Sequence, residues 1–198
     1  MKDTENKSDA VALVGFSELS RYLTPFDKPS SEIEIWGCNE EANFGRNEEV
    51  VYQINGNPNL APFMNRWDRW IQVHSYRSFS RPDNNEHPDH FQWLKDARGF
   101  PIYMQEHYKE IPSSIKYPLQ EIREKYGNYY TSTFAYMLAL AMLKGFKRIE
   151  VYGFEMAVQS EYFHQRPNAE YLIGMARGLG HEVVLPPHGN LLRGHVYA

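Results

Sequence analysis

Short apolar runs closed by glycine recur along this chain. Ala10 to Val14 (AVALV) stops at Gly15, and an unbroken run of that length fits a strand buried on both faces. Phe16 to Leu23 reads as a short helix, turn residues follow from Pro25 to Ser31, and Ile33 to Gly37 (IEIWG) reads as a second strand. Strand, Gly-Phe-Ser turn, helix and strand make a βαβ unit. Its right-handed crossover places the Gly15 loop at the C-terminal edge of the first strand.

Glu40 to Pro62, rich in Asn and Gly, reads as loop, and Arg69 to Ser75 as a third strand. Arg77 to Asp89 is a charged loop before a helix at His90 to Asp96, and Pro101 to Gln105 is a fourth strand. His107 to Tyr130 is polar, with a helix near Leu119 to Tyr126. Ser132 then caps a helix whose apolar face is Phe134, Leu138, Ala141 and Met142 and which ends at Gly145. Ile149 to Gly153 is a strand stopped by glycine. A helix from Asn168 to Leu179 and a strand from His181 to Leu185 complete the pattern. Repeated helix–glycine–strand units predict an α/β fold: a Rossmann-like, mostly parallel sheet with helices on both faces. One domain spans residues 10–198, behind a disordered tail at residues 1–9.

Composition narrows the function. The 198 residues carry 21 Lys and Arg against 25 Asp and Glu, a net charge of −4, which disfavours a non-specific nucleic-acid binder. A single cysteine, Cys38, leaves no intrachain disulfide and no Cys-rich zinc site. The polar start lacks the basic and apolar regions of a signal peptide, and Phe134 to Leu143 falls short of the roughly 20 residues that span a bilayer. A cytoplasmic protein without a membrane partner is the expectation. Aromatics reach 15%, enough for a core and for either a stacking pocket or a homo-oligomer interface. Trp67, Trp70 and Trp93 read as core.

In such a sheet ligands bind outside the C-terminal strand ends. Four loops reach that edge: Gly15 to Ser17, Gly37 to Glu40 with Asn39, the loop at His74, and Gly153 to Met156 with Glu155. Gly15 and Gly153 fit two readings, a close approach of backbone N–H to phosphate or a tight strand-to-helix turn. Neither GxGxxG nor a Walker loop is present. Glu155 to Tyr171 holds more ionisable side chains than packing needs. It reads as a loop before a helix with Pro167 in its first turn. His164 there suits a general base, and Arg166 suits a bidentate phosphate or carboxylate clamp. His87 and His90 lack a second ligand pair, so no metal site is expected.

The blocks VALVGFSEL, IEIWGCNEEANF and TSTFAYMLALAMLKGFKRIEVYGFEM resemble the bacterial sialyltransferases, Rossmann-like glycosyltransferases that use a CMP-activated sugar. The resemblance covers about half the chain. It implies that Gly15, Ser17 and Asn39 contact the nucleotide, that Thr131 and Ser132 hold the phosphate, and that His164 is the general base. With Gly153 and Glu155 at the same edge, Arg166 or Tyr162 would stabilise the departing phosphate. The donor would be a nucleotide-sugar, CMP-linked by the resemblance, with no other cofactor and no metal. Two departures stand out: the first loop is only Gly15-Phe-Ser17, and the interval from Gly153 to His164 is shorter than in that family. Tyr162 to Tyr171 also resembles segments of small bacteriophage proteins, and this keeps a second function open, a non-catalytic module that sequesters a nucleotide-derived ligand.

Overall fold

The computed structural model describes residues 3–39, 66–80, 90–96, 98–156, 160–187 and 189–193. Among them, seven strands form one parallel sheet: β1 (Ala10–Val14), β2 (Glu34–Cys38), β3 (Arg69–Gln72), β4 (Ile102–Met104), β5 (Ser114–Lys116), β6 (Arg148–Tyr152) and β7 (Glu182–Val184). The spatial order is β5-β4-β3-β2-β1-β6-β7. The chain therefore builds outward from β1 in one direction, then returns to add β6 and β7 on the other side. That reversal makes the C-terminal ends of β1 and β6 the switch point of the sheet. The two strands run in register from Ala10 opposite Arg148 to Val14 opposite Tyr152.

Helices cover both faces, as expected. One face carries α4 (Leu119–Tyr126), α5 (Thr133–Leu143) and α6 (Ser160–Gly178), packed on Val11, Leu13, Trp36 and Ile149. The other carries α2 (Tyr76–Phe79) and α3 (His90–Lys95), where Trp67, Trp70 and Trp93 pack together as core. α1 (Glu18–Arg21) follows β1 directly. α5 is buried around most of its circumference, because its sequence TFAYMLALAML offers no polar face and it lies between sheet and flanking helices. Among the described residues no helix is long and apolar enough to cross a membrane.

The structure differs from the sequence expectation in four places. β5 arises inside the polar stretch, where Ser114 is buried and its hydroxyl ties three backbone groups of the preceding turn. α2 starts a helical turn at the head of the expected Arg77 to Asp89 loop; residues 81–89 lie outside the description. α6 begins at Ser160 rather than Asn168, so Pro167 sits inside the helix, lacking only the N–H that would reach back one turn. The tail is pinned from Asp3 onward rather than disordered. Arg69, 1% exposed, takes the Thr4 and Glu5 carbonyls, the Asp3 carboxylate and the Asn6 amide oxygen, while Lys7 reaches Glu34 and Asp68. A buried guanidinium has more donors than one carboxylate can use, and the tail supplies the remaining acceptors.

Candidate functional site

At the switch point two glycines cross. Gly15 N–H donates to the Tyr152 carbonyl at 2.9 Å and Ser17 N–H to the Gly153 carbonyl at 3.0 Å. A Cβ on either glycine would run into the backbone of the other, and Gly153 has φ +71°. Glycine is thus required at both positions by close backbone approach, and Gly153 also by its left-handed conformation. The N–H groups of Gly15, Ser17 and Gly153 are donated within the protein and both glycines are buried, so the crossing is a tight strand-end junction that offers a ligand no free N–H of its own.

The crossing fixes Ser20 beneath it. The Ser20 hydroxyl accepts from Gly153 N–H at 2.8 Å and donates to Glu155 Oε1 at 2.5 Å. Glu155 is 5% exposed, yet its Oε2 has no hydrogen-bond partner. A buried carboxylate oxygen left unengaged is costly, and it marks a place where a donor from outside the chain would be stabilised. Ser17 caps α1, its hydroxyl accepting from Leu19 N–H at 3.4 Å.

A second group gathers at the N-terminus of α5. Ser132 caps the helix, accepting from Ala135 N–H at 3.2 Å. Asn39, at φ +49° just past β2, exchanges hydrogen bonds with the Thr133 hydroxyl at 3.2 and 3.3 Å. Its backbone is locked by Ile71 and the Trp70 indole. Thr131 donates from its hydroxyl to the His164 carbonyl and from its N–H to Asn168 Oδ1. Asn168, fully buried, closes the loop by donating to the Tyr129 carbonyl at 2.6 Å. The rings of Phe134 and Phe154, tilted against each other at 4.8 Å between centroids, join this group to the Glu155 loop.

The structure therefore brings Asn39, Thr131, Ser132 and the His164 backbone to one helix end, beside the Gly15–Gly153–Glu155 crossing. His164 lies on α6 rather than in a loop, exposed and edge-on to Phe163. Arg166 is turned elsewhere: it pairs with Glu170 at 2.9 Å and donates to the Asn190 and Arg193 carbonyls, holding the C-terminal segment. Tyr162 falls in α6, but its side chain lies outside the described residues. Cys38 is buried, its thiol 3.8 Å from the Val14 carbonyl. His90 is buried and bonded to Gln72, while His87 lies outside the description. No cluster of three metal-ligating side chains occurs among the described residues. Sequence reading missed Ser20, Thr133 and Asn168: each is a single polar residue in an ordinary context, and only the fold reveals what it reaches.

No protein-family model matches the chain, and no curated protein matches it in sequence. Its fold is similar to that of solved sialyltransferases from Campylobacter jejuni. The sialyltransferase CstII, solved with the substrate analogue cytidine-5'-monophosphate, superposes with a TM-score of 0.50 at 12% identity, over 91% of this chain and 80% of that one. The apo α-2,3-sialyltransferase gives a TM-score of 0.51 at 11% identity, over 98% and 85%. At such identity the likeness establishes a shared α/β architecture.

Proposed function

We propose that this chain binds a nucleotide-sugar at the β1–β6 switch point and transfers the sugar to an acceptor hydroxyl. The observation that carries the reading is Glu155, buried and half-satisfied beside the glycine crossing, where a fold of this class receives its ligand. CMP bound to the neighbouring sialyltransferase makes a CMP-linked donor the first candidate. Glu155 Oε2 would accept a hydroxyl or amine proton of the nucleoside. Gly15 and Gly153, both buried, would fix the position of that carboxylate, and Ser17, part-exposed at the start of α1, would meet the nucleoside.

Asn39, Thr131 and Ser132 would meet the phosphate at the α5 N-terminus, where the helix dipole favours negative charge. His164 would take the acceptor's hydroxyl proton as that oxygen attacks the anomeric carbon. The bond from anomeric carbon to phosphate oxygen breaks, and the nucleoside monophosphate leaves with the electron pair. In this metal-independent scheme Tyr162 and Arg166 would add to the stabilisation of the leaving charge, Arg166 once the 190–193 segment releases it.

The test is incubation with CMP-, UDP- and GDP-linked sugars and measurement of released nucleotide. Release from one donor, abolished by His164→Ala with nucleotide binding retained, is the expected outcome; unchanged turnover in that variant removes His164 as base. A second reading has one observation in its favour, the commitment of the Arg166 guanidinium to chain carbonyls. As a sequestering module, the protein would retain a nucleotide-derived ligand and release no product.

A further inference from the structure

Over the ends of β3, β4 and β5 the described residues form an open groove of about 1000 Å³ on the same sheet edge, lined by none of the residues assigned above. Helix α4 supplies Gln120, Glu121, Arg123 and Glu124, and Tyr136 lines the groove from α5. Tyr136 is held rigidly. Tyr117 meets its ring edge-on at 5.4 Å and donates its hydroxyl to the Tyr136 carbonyl, while Tyr130 lies against the ring at 5.3 Å. A fixed, half-exposed aromatic ring is a platform for the apolar face of a ligand at little entropic cost.

The polar atoms around that platform are mostly acceptors. Gln105 and Gln120 donate their amide nitrogens to the Val73 carbonyl and to Glu124. Lys116 pairs with Glu106 at 2.9 Å, which leaves Glu121 and Glu124 against Arg123, one negative charge in excess. Such a lining suits a ligand that brings many hydroxyl donors and no negative charge. The groove also lies one helical turn from the proposed phosphate end: Tyr136 is on the first turn of α5, its N–H donating to the carbonyl of the capping Ser132. The Tyr130 hydroxyl, on the ring packed beside Tyr136, is buried without a partner.

We propose that this groove seats the acceptor, and that the acceptor is an uncharged, polyhydroxylated molecule, a neutral glycoside. The inference rests on the transferase reading above. Its test is ligand-observed saturation-transfer NMR with the methyl glycosides of galactose, glucose, mannose and N-acetylglucosamine, and with methyl glucuronide as the anionic probe. CMP binding is followed separately by calorimetry.

The expected result is saturation of at least one neutral glycoside and none of the glucuronide. Tyr136→Ala should weaken binding by roughly tenfold, the scale of one aromatic contact. Because Tyr136 also packs in the core, the exposed Glu121→Lys is the companion variant, and it should admit the glucuronide with the fold intact. No glycoside bound by a protein that binds CMP would overturn the groove assignment alone. Preference for the glucuronide, or neutral-sugar binding indifferent to both variants, would overturn it too. Glycoside binding that responds to the variants without any CMP binding would support the groove and remove the nucleotide reading.

Discussion

The two edges of the sheet treat buried carboxylates differently. At the N-terminal edge, Glu34 takes hydrogen bonds from Lys7 N–H, the Trp36 indole and two nitrogens of Arg69. Asp68 takes them from Lys7, Ser30, Ile35 N–H and Arg66. At the C-terminal edge, Glu155 is as deeply buried, and one of its oxygens has no partner. The first arrangement closes every lone pair within the chain and serves stability. The second leaves an acceptor for something outside the chain, and that is how a site differs from a strut.

Removing a strut should cost most. Arg69→Leu leaves Glu34 buried without its ion pair, and about 3–5 kcal/mol of unfolding free energy should be lost in urea denaturation. A loss below about 1 kcal/mol would mean the network is incidental. Next is the crossing itself: Gly153→Ala should cost about 2–3 kcal/mol, from left-handed backbone and overpacking together. Gly145→Ala shares a positive φ but meets nothing within 4 Å, and should cost only about 1 kcal/mol. Equal losses would show that close approach contributes nothing.

The struts should also respond to pH. Burial alone would raise the Asp68 carboxyl, but hydrogen bonds from Lys7, Ser30 and Ile35 N–H, with the Lys7 charge, outweigh it and hold the group below the usual carboxylate range. Asp3 is lowered in the same way, through Lys144 and Tyr103 against its own burial. A depressed folded-state value means the contribution is complete above the unfolded carboxylate value and is lost as pH falls through the folded one. Asp68→Asn should therefore cost roughly 1.5–3 kcal/mol at pH 7, the worth of hydrogen bonds to a charged group, and progressively less in acid below the ordinary carboxylate value. A penalty constant with pH would contradict the assignment. The smallest stability effect belongs to Glu155→Gln, within about 1 kcal/mol, because Ser20 can still donate to the amide oxygen.

The same contrast explains what the sequence revealed. Strand ends at Val14 and Tyr152 were legible because apolar runs and the glycines that follow them are local signals, and the second strand was read to Gly37, one residue short of Cys38; together they led to the C-terminal edge and to Gly15, Asn39, Gly153 and Glu155. The tyrosine groove was not legible, since Tyr117, Tyr130 and Tyr136 come together only when α5 packs beside α4. Nor was the pinned tail. Its residues are polar and mixed in charge, and their partner Arg69 lies far along the chain at the start of β3. The helical setting of His164 was missed for a local reason: Pro167 signals a first turn, and two more turns precede it.

The most direct measurement is a calorimetric titration of CMP into the wild-type protein and into Glu155→Gln. The account predicts one-to-one binding to the wild type and a loss of at least roughly tenfold in the variant, the scale of a hydrogen bond to a charged group, with the melting temperature preserved. Binding indifferent to the substitution, or a wild-type protein that binds no nucleotide, would contradict it.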